Sequence, residues 1–207
     1  MIYFVGASCG DPELVTVKAM RLLQKADVVL YTGSLIPKEV LSWCKDDAKI
    51  VDSQGMKYPE IFEFLKEQNI AYEVIPGVSA AFGAAASLGI EYTIPGVSQT
   101  IVLTRVEGRT PNPESLENIL ALKNSSLVFY LSILLLKKLK EKALEMGYSA
   151  NTPCWVVEKA TWEDEKIYKG TISDIENQVG HIKGVALILF GDFLDQKESC
   201  ESHLYVK

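Results

Sequence analysis

The chain has 207 residues, 48% of them hydrophobic and 23% charged, enough for one ample core or two small ones and ordinary for an α/β protein. A formal net charge of −6 and a pI near 5.1 argue against a nucleic-acid partner, because the long-range field would repel phosphates. The most apolar run, 127–136, contains Ser132 and is too short to cross a bilayer, so no membrane partner is expected either.

Residues 1–6 enter a strand at once, without the basic leader and long apolar stretch of a secreted protein. Cys9, Cys44, Cys154 and Cys200 show no CxxC spacing, and His181 and His203 complete no metal-ligand pattern. The expectation is a cytoplasmic protein with reduced thiols and no metal site.

The first strand, 2–5, runs into the turn Gly6-Ala7-Ser8-Cys9-Gly10. Asp11-Pro12 then reads as an N-cap followed by a first-turn proline, and Leu14, Val15, Val17, Leu22 and Leu23 give an apolar stripe that predicts a helix over 12–25. Strand 28–31 completes a βαβ start. A short helix over 37–44, a strand over 49–51, a helix over 59–67 and a strand over 71–75 continue the alternation, which predicts a parallel sheet. Ile75-Pro76-Gly77-Val78-Ser79-Ala80 turns into a small-residue helix, 80–88, and Ile94-Pro95-Gly96 reads as a hinge. The second half predicts a strand over 100–104, a helix over 113–121, a strand over 126–131, and a lysine-rich helix that ends before Gly147. Three more strands follow over 153–158, 165–170 and 185–190, the first two joined as an antiparallel pair through Trp162-Glu163-Asp164. The pattern as a whole predicts two α/β domains, 1–97 and 98–207, with a cleft between them.

In open α/β sheets, ligands bind beyond the carboxyl ends of strands. Five loops fall there: 6–10, 76–80, 105–109, 130–132 and 159–162. The first is no dinucleotide loop, since Gly6 and Gly10 lack the GxGxxG spacing, and no Lys-Ser/Thr follows to make a phosphate loop. The third holds two of the chain's three arginines, Arg105 and Arg109, in Leu103-Thr104-Arg105-Val106-Glu107-Gly108-Arg109-Thr110-Pro111-Asn112-Pro113-Glu114. Spacing alone leaves two readings open. One is planar, bidentate recognition of carboxylates; the other is a loop ion pair among Arg105, Glu107 and Arg109.

That stretch resembles the LTRxEGRTPxPE signature of the cobalt-precorrin-4 C-11-methyltransferases of anaerobic cobalamin biosynthesis. The opening Val5-Gly6-Ala7-Ser8-Cys9-Gly10-Asp11-Pro12-Glu13-Leu14-Val15-Thr16 is similar to the VGAGPGDPELLT start of the wider tetrapyrrole methylase superfamily, with Cys9 in place of a proline. Further likeness lies in Tyr31-Thr32-Gly33-Ser34-Leu35, Gly55-Met56, Ile75-Pro76-Gly77-Val78-Ser79, Tyr130-Leu131-Ser132 and the segment from Lys159 to Ile167. The resemblance implies a two-domain tetrapyrrole methylase fold and transfer of a methyl group from S-adenosylmethionine to carbon 11 of a tetrapyrrole, by a homodimer. It also implies that Cys9, Val78, Ser79, Ala80, Leu131 and Ala160 line the cofactor site, while Asp11, Met56, Arg105 and Arg109 face the macrocycle. The many acetate and propionate groups of a precorrin suit Arg105 and Arg109, with Lys159 and Lys166 as auxiliaries. Glu107 either orients Arg105 or assists proton loss at the ring.

One feature departs from the family. Its members carry a strand, a TGDPxxYG loop that cradles the cofactor, and a helix between the Gly-Met turn and the Ile-Pro-Gly-Val turn; here Met56 is followed directly by Lys57-Tyr58-Pro59-Glu60. Loss of a central parallel strand is expected to be destabilising, because both of its faces are normally buried. Besides the methyltransferase, two readings therefore stay open: a non-catalytic tetrapyrrole-binding remnant, and a methylase acting on cobalt-free precorrin-4.

Overall fold

A computed structural model describes residues 1–33, 35–53 and 61–195. The chain divides into two compact units, Met1–Ala80 with Thr161–Glu163, and Ala81–Ala160 with Asp164 onward. Both alternate strands and helices, as an α/β chain should.

The first unit contains β1 (Ile2–Val5), α1 (Val17–Leu23), β2 (Val28–Tyr31), β3 (Lys49–Asp52), α2 (Ile61–Glu67) and β4 (Tyr72–Ile75). Among the described residues all pairings are parallel, but they form two separate two-stranded sheets: β1 with β4 and β2 with β3. Parallel strands are normally buried on both faces. Here Ile2, Tyr3, Val28, Leu30, Ile50 and Val74 are exposed, and among the described residues before α3 the buried apolar ones are few: Ala19, Leu23, Val40, Leu65 and Ile75.

The single helix expected over 12–25 is two elements. Asp11 caps only a 3-10 turn, Pro12–Leu14, by accepting from the Glu13 N–H at 2.8 Å. Val15 is then extended, and Thr16 Oγ1 caps α1 by accepting from the Ala19 N–H at 3.2 Å. The apolar spacing across both pieces mimicked one helix, while the β-branched pair Val15-Thr16 favours the extended break that a second cap needs. The helix expected over 37–44 forms as a 3-10 helix, Lys38–Trp43. The expected start of α2 at residue 59 lies outside the described residues.

The second unit begins in α3 (Ala80–Leu88) and continues with β5 (Thr100–Thr104), α4 (Leu116–Leu120), β6 (Ser125–Tyr130), α5 (Leu136–Glu145), β7 (Pro153–Glu158), β8 (Lys166–Thr171), α6 (Ile175–Val179) and β9 (Ala186–Phe190). Its sheet has the order β5-β6-β9-β7-β8. Only β5 and β6 run parallel; β6–β9, β7–β9 and the expected β7–β8 hairpin are antiparallel. α4 starts later than expected, because Ser115 supplies the cap to the Asn118 N–H, beyond the prolines at 111 and 113. α6 was not expected; it packs Ile175 and Val179, one turn apart, into the core.

One apolar cluster occupies this unit, from Val106 through Phe129, Leu139, Val156 and Ile175 to Phe190. β6 and β9 are its spine, since their residues 127–129 and 186–190 are all buried. The loops after β5 and β6 therefore stand on a rigid base.

Candidate functional site

In the first unit, the loop after β1 and the turn after β4 touch backbone to backbone. Gly6 N–H extends the sheet by donating to Ile75 O at 2.8 Å. A Cβ built on Gly6 would lie 2.4 Å from Gly77 N, and one on Gly77 would lie 2.5 Å from Gly6 C. Only glycine at both positions permits that approach. It brings Cys9 and the Val78–Ala80 segment, both expected at the cofactor, onto neighbouring loops.

The rest of the first loop is held from 161–163. The Cys9 thiol and the Thr161 hydroxyl are 3.2 Å apart, Asp11 N–H donates to Thr161 Oγ1 at 3.2 Å, and Trp162 Nε1 donates to Cys9 O at 3.0 Å. Thr161 adopts φ +65 and Lys159 φ +53. Left-handed backbone is costly for a β-branched residue and persists where surrounding contacts over-determine it. Lys159 pairs with Asp164, whose carboxyl is held below its usual range by that hydrogen bond. Ala160 is buried, whereas Val78 is exposed and Ser79 and Ala80 are half-buried.

Ser8 is a residue that the sequence did not single out. It is 6% exposed, and its Oγ is the one buried side-chain oxygen or nitrogen without a hydrogen-bond partner among the described residues. An unpaired buried hydroxyl costs about 1–3 kcal/mol. Ser8→Ala is therefore expected to stabilise the chain by about 1 kcal/mol, read as a higher urea midpoint; an equal or lower midpoint contradicts the assignment.

In the second unit, the arginine loop follows β5 and is internally braced. Arg105 donates from Nη1 to Thr110 O at 2.8 Å and from Nη2 to Pro111 O. Asn112 Nδ2 donates back to Arg105 O at 3.0 Å, and Lys138 Nζ to Glu107 O at 2.9 Å. The buried Val106 donates its N–H to Ser132 Oγ at 2.8 Å, and Ser132 Oγ donates to Tyr130 O at 2.7 Å. No ion pair joins Glu107 to Arg105 or Arg109 among the described residues, so the loop ion pair is replaced by guanidinium-to-carbonyl bonds. Arg109 stands exposed at the tip. The geometry separates two arginines that spacing had made equivalent.

Leu131 lies at the end of β6 with φ +50 and 68% of its surface exposed. A leucine held in left-handed backbone and turned to solvent is conformationally unfavourable, which a ligand's apolar face would offset. Ser132 links this strand end to the arginine loop, so Leu131 and Arg105–Arg109 share one support. Met56 lies outside the described residues.

Among the described residues no group of three His, Cys, Asp or Glu side chains is placed to hold a metal ion. No described helix is long and apolar enough to cross a membrane. Cys9, Cys44 and Cys154 are free thiols, and burial pushes that of Cys154 up to about 12.

The sequence model described as Tetrapyrrole (Corrin/Porphyrin) Methylases matches residues 1–60 and 55–176, in two pieces that meet at 55–60. A cobalt-precorrin-4 C(11)-methyltransferase of Methanocaldococcus jannaschii is 39% identical over 241 residues, covering 100% of this chain and 93% of that protein. A precorrin-4 C(11)-methyltransferase of Pseudomonas aeruginosa is 34% identical, covering 99% of this chain and 94% of its own length. The solved X-ray structure of a cobalt precorrin-4 methyltransferase superposes with a TM-score of 0.87 at 37% identity, over 94% of this chain and 95% of that one. The 241 aligned residues against a chain of 207 leave about 34 positions of the archaeal relative opposite no residue here. With the family model matching both stretches and a relative 39% identical across the whole chain, the chain belongs to the tetrapyrrole (corrin/porphyrin) methylase family.

Proposed function

We propose that the chain is an S-adenosylmethionine-dependent methyltransferase that methylates C-11 of cobalt-precorrin-4 in cobalamin biosynthesis. The observation that carries this reading is the braced arginine loop: Arg105 is spent on the Thr110 and Pro111 carbonyls, and Arg109 is held out on a fixed support. A precorrin's acetate and propionate groups give such a guanidinium a partner.

The residues present fit an S-adenosyl group in part. In the first unit, the glycine contact between Gly6 and Gly77 sets Cys9 and the Val78–Ala80 segment beside each other as a surface of backbone and small side chains. Bound there, an S-adenosyl group would supply a methyl activated by its sulfonium, with S-adenosylhomocysteine as the product. The protein's part is alignment and exclusion of water rather than nucleophilic chemistry. Arg109 binds a substrate carboxylate, and Arg105 and Asn112 keep its loop in shape. Asp11, whose carboxylate caps the 3-10 turn, and Met56 belong to the macrocycle side of the same reading. Glu107, without an ion-pair partner among the described residues, takes up the ring proton or orients the substrate. The reading includes a cytoplasmic homodimer.

Arg109→Ala is expected to raise KM for cobalt-precorrin-4 by about tenfold, the value of a lost charged hydrogen bond, with an unchanged melting temperature. Arg105→Ala is expected to raise KM and lower the melting temperature together, because it releases the loop. Equal KM values for Arg109→Ala and the parent chain would remove Arg109 from the substrate site. Comparing turnover of cobalt-precorrin-4 with that of cobalt-free precorrin-4 decides between the acceptors named for the two relatives. A second reading, a non-catalytic tetrapyrrole-binding protein, is favoured by the 34-position difference. Tetrapyrrole binding without S-adenosylhomocysteine binding by calorimetry would select it.

A further inference from the structure

We propose that Tyr130 and Ser132, at the end of β6, are positioning residues that serve two different ligands: Tyr130 sets the start of α3 beside the cofactor residues, and Ser132 sets the arginine loop. The inference rests on the methyltransferase reading above.

Both peptide groups of Ala81 are held by phenols. Its N–H donates to Tyr130 Oη at 3.0 Å, and its carbonyl accepts from Tyr92 Oη at 2.6 Å. Ala81 is fully buried and stands in the first turn of α3, where backbone N–H groups have no intrahelical acceptor. The acceptor for this N–H is a tyrosine 49 positions along the chain. The residues immediately before it, Val78, Ser79 and Ala80, are those assigned to the cofactor.

Tyr92 is itself fixed. Its carbonyl accepts from Ser126 Oγ at 2.5 Å, Ser126 Oγ also meets Ser98 Oγ at 3.0 Å, and its ring packs against Phe193 with centroids 5.5 Å apart. Burial pushes its phenol above the ordinary range, which keeps it a neutral donor to Ala81 O. Tyr92 is thus an immobile strut, and Tyr130 is the member that ties α3 to the strand end.

Two residues on, Ser132 is fully buried and uses both capacities of its hydroxyl, accepting from Val106 N–H at 2.8 Å and donating to Tyr130 O at 2.7 Å. Between them Leu131 takes φ +50. One strand end therefore bonds α3 through one side chain and the arginine loop through the other. Neither hydroxyl needs to touch a ligand.

The test is a double dissociation in the full chain, using Tyr130→Phe and Ser132→Ala, with S-adenosylhomocysteine affinity from calorimetry, KM for cobalt-precorrin-4 and the melting temperature. Tyr130→Phe is expected to weaken S-adenosylhomocysteine about fivefold and leave the tetrapyrrole KM within about twofold, the scale of one neutral hydrogen bond. Ser132→Ala is expected to do the reverse, and Ser132→Thr, which keeps the hydroxyl, to restore the tetrapyrrole KM. Should Ser132→Ala fail to fold, Tyr130→Phe still tests the cofactor half, with Ser132→Thr as the control expected to leave both ligands unchanged. A purely structural role would lower the melting temperature and weaken both ligands in parallel; that result, or unchanged cofactor affinity in Tyr130→Phe, overturns the proposal. If the parent chain binds no S-adenosylhomocysteine, the methyltransferase reading itself fails and takes this inference with it. Binding by the parent with no split in the variants sinks this inference alone.

Discussion

Gly77→Ala is expected to weaken S-adenosylhomocysteine binding by about tenfold or more and to lower the melting temperature of the first unit. A Cβ there would stand 2.5 Å from Gly6 C and 2.6 Å from both Ala7 O and Gly6 O. All three are backbone atoms at the end of β1, so no rotamer change relieves the clash. The loop after β1 or the turn after β4 must move, and overpacking of this kind costs about 1–3 kcal/mol. In a unit this small each kcal/mol lowers the melting temperature by about 4–8 °C. Binding falls further than stability alone implies, because the displaced segments are those that carry Cys9 and Val78–Ala80. Gly6→Ala attacks the same contact from the other side, so the double variant should lose much less than the sum of the two. Gly184→Ala is the control: a Cβ there meets nothing within 4 Å. Wild-type affinity and melting in Gly77→Ala would mean that the two loops do not meet as described.

The strands of the second half were legible because runs such as Leu127–Phe129 and Ala186–Phe190 are continuously apolar and end at polar or glycine positions. The arginine loop was legible as a site, since two of three arginines stand in one proline-punctuated stretch. The division of labour inside it was not. Arg105 is set apart from Arg109 by the carbonyls of Thr110 and Pro111, and backbone acceptors leave no mark in the identity of residues. The same limit hid the phenols on Ala81, which lie 11 and 49 positions away. Ser8 was invisible for the opposite reason, because nothing bonds it. The 12–25 helix was misread because a 3.6 period persists across a break when both pieces pack one face against the same neighbour. Asp11 and Thr16 each offer a cap, and only the extended Val15 between them decides that both are used.

Restoring about 34 residues at the 55–60 junction, taken from a relative, is expected to raise the melting temperature of the first unit by at least about 15 °C. Chain order supports this. β1, α1 and β2 form a strand–helix–strand crossover, which normally joins parallel strands of one sheet. Yet β1 pairs only with β4 and β2 only with β3 among the described residues. One parallel strand lying between β1 and β2 would make a single sheet of order β3-β2-new-β1-β4, and about 34 residues suffice for a strand, a loop and a covering helix. The present edges agree, for Val28 is 59% and Leu30 51% exposed, with Ile2, Tyr3 and Val74 also open. Covering them contributes on the order of 5 kcal/mol at roughly 1 kcal/mol per half-exposed side chain, an upper estimate. Calorimetry of the chain as it stands should accordingly show two transitions, with the first unit melting well below the second, whose core is continuous from Val106 to Phe190. The insertion should bring the transitions together and strengthen S-adenosylhomocysteine binding by about tenfold or more, since the added loop would adjoin Cys9 and Val78–Ala80. If the first transition stays where it was, the two sheets are complete as they are, and the difference in length from the relatives is a tolerated deletion rather than a lost strand.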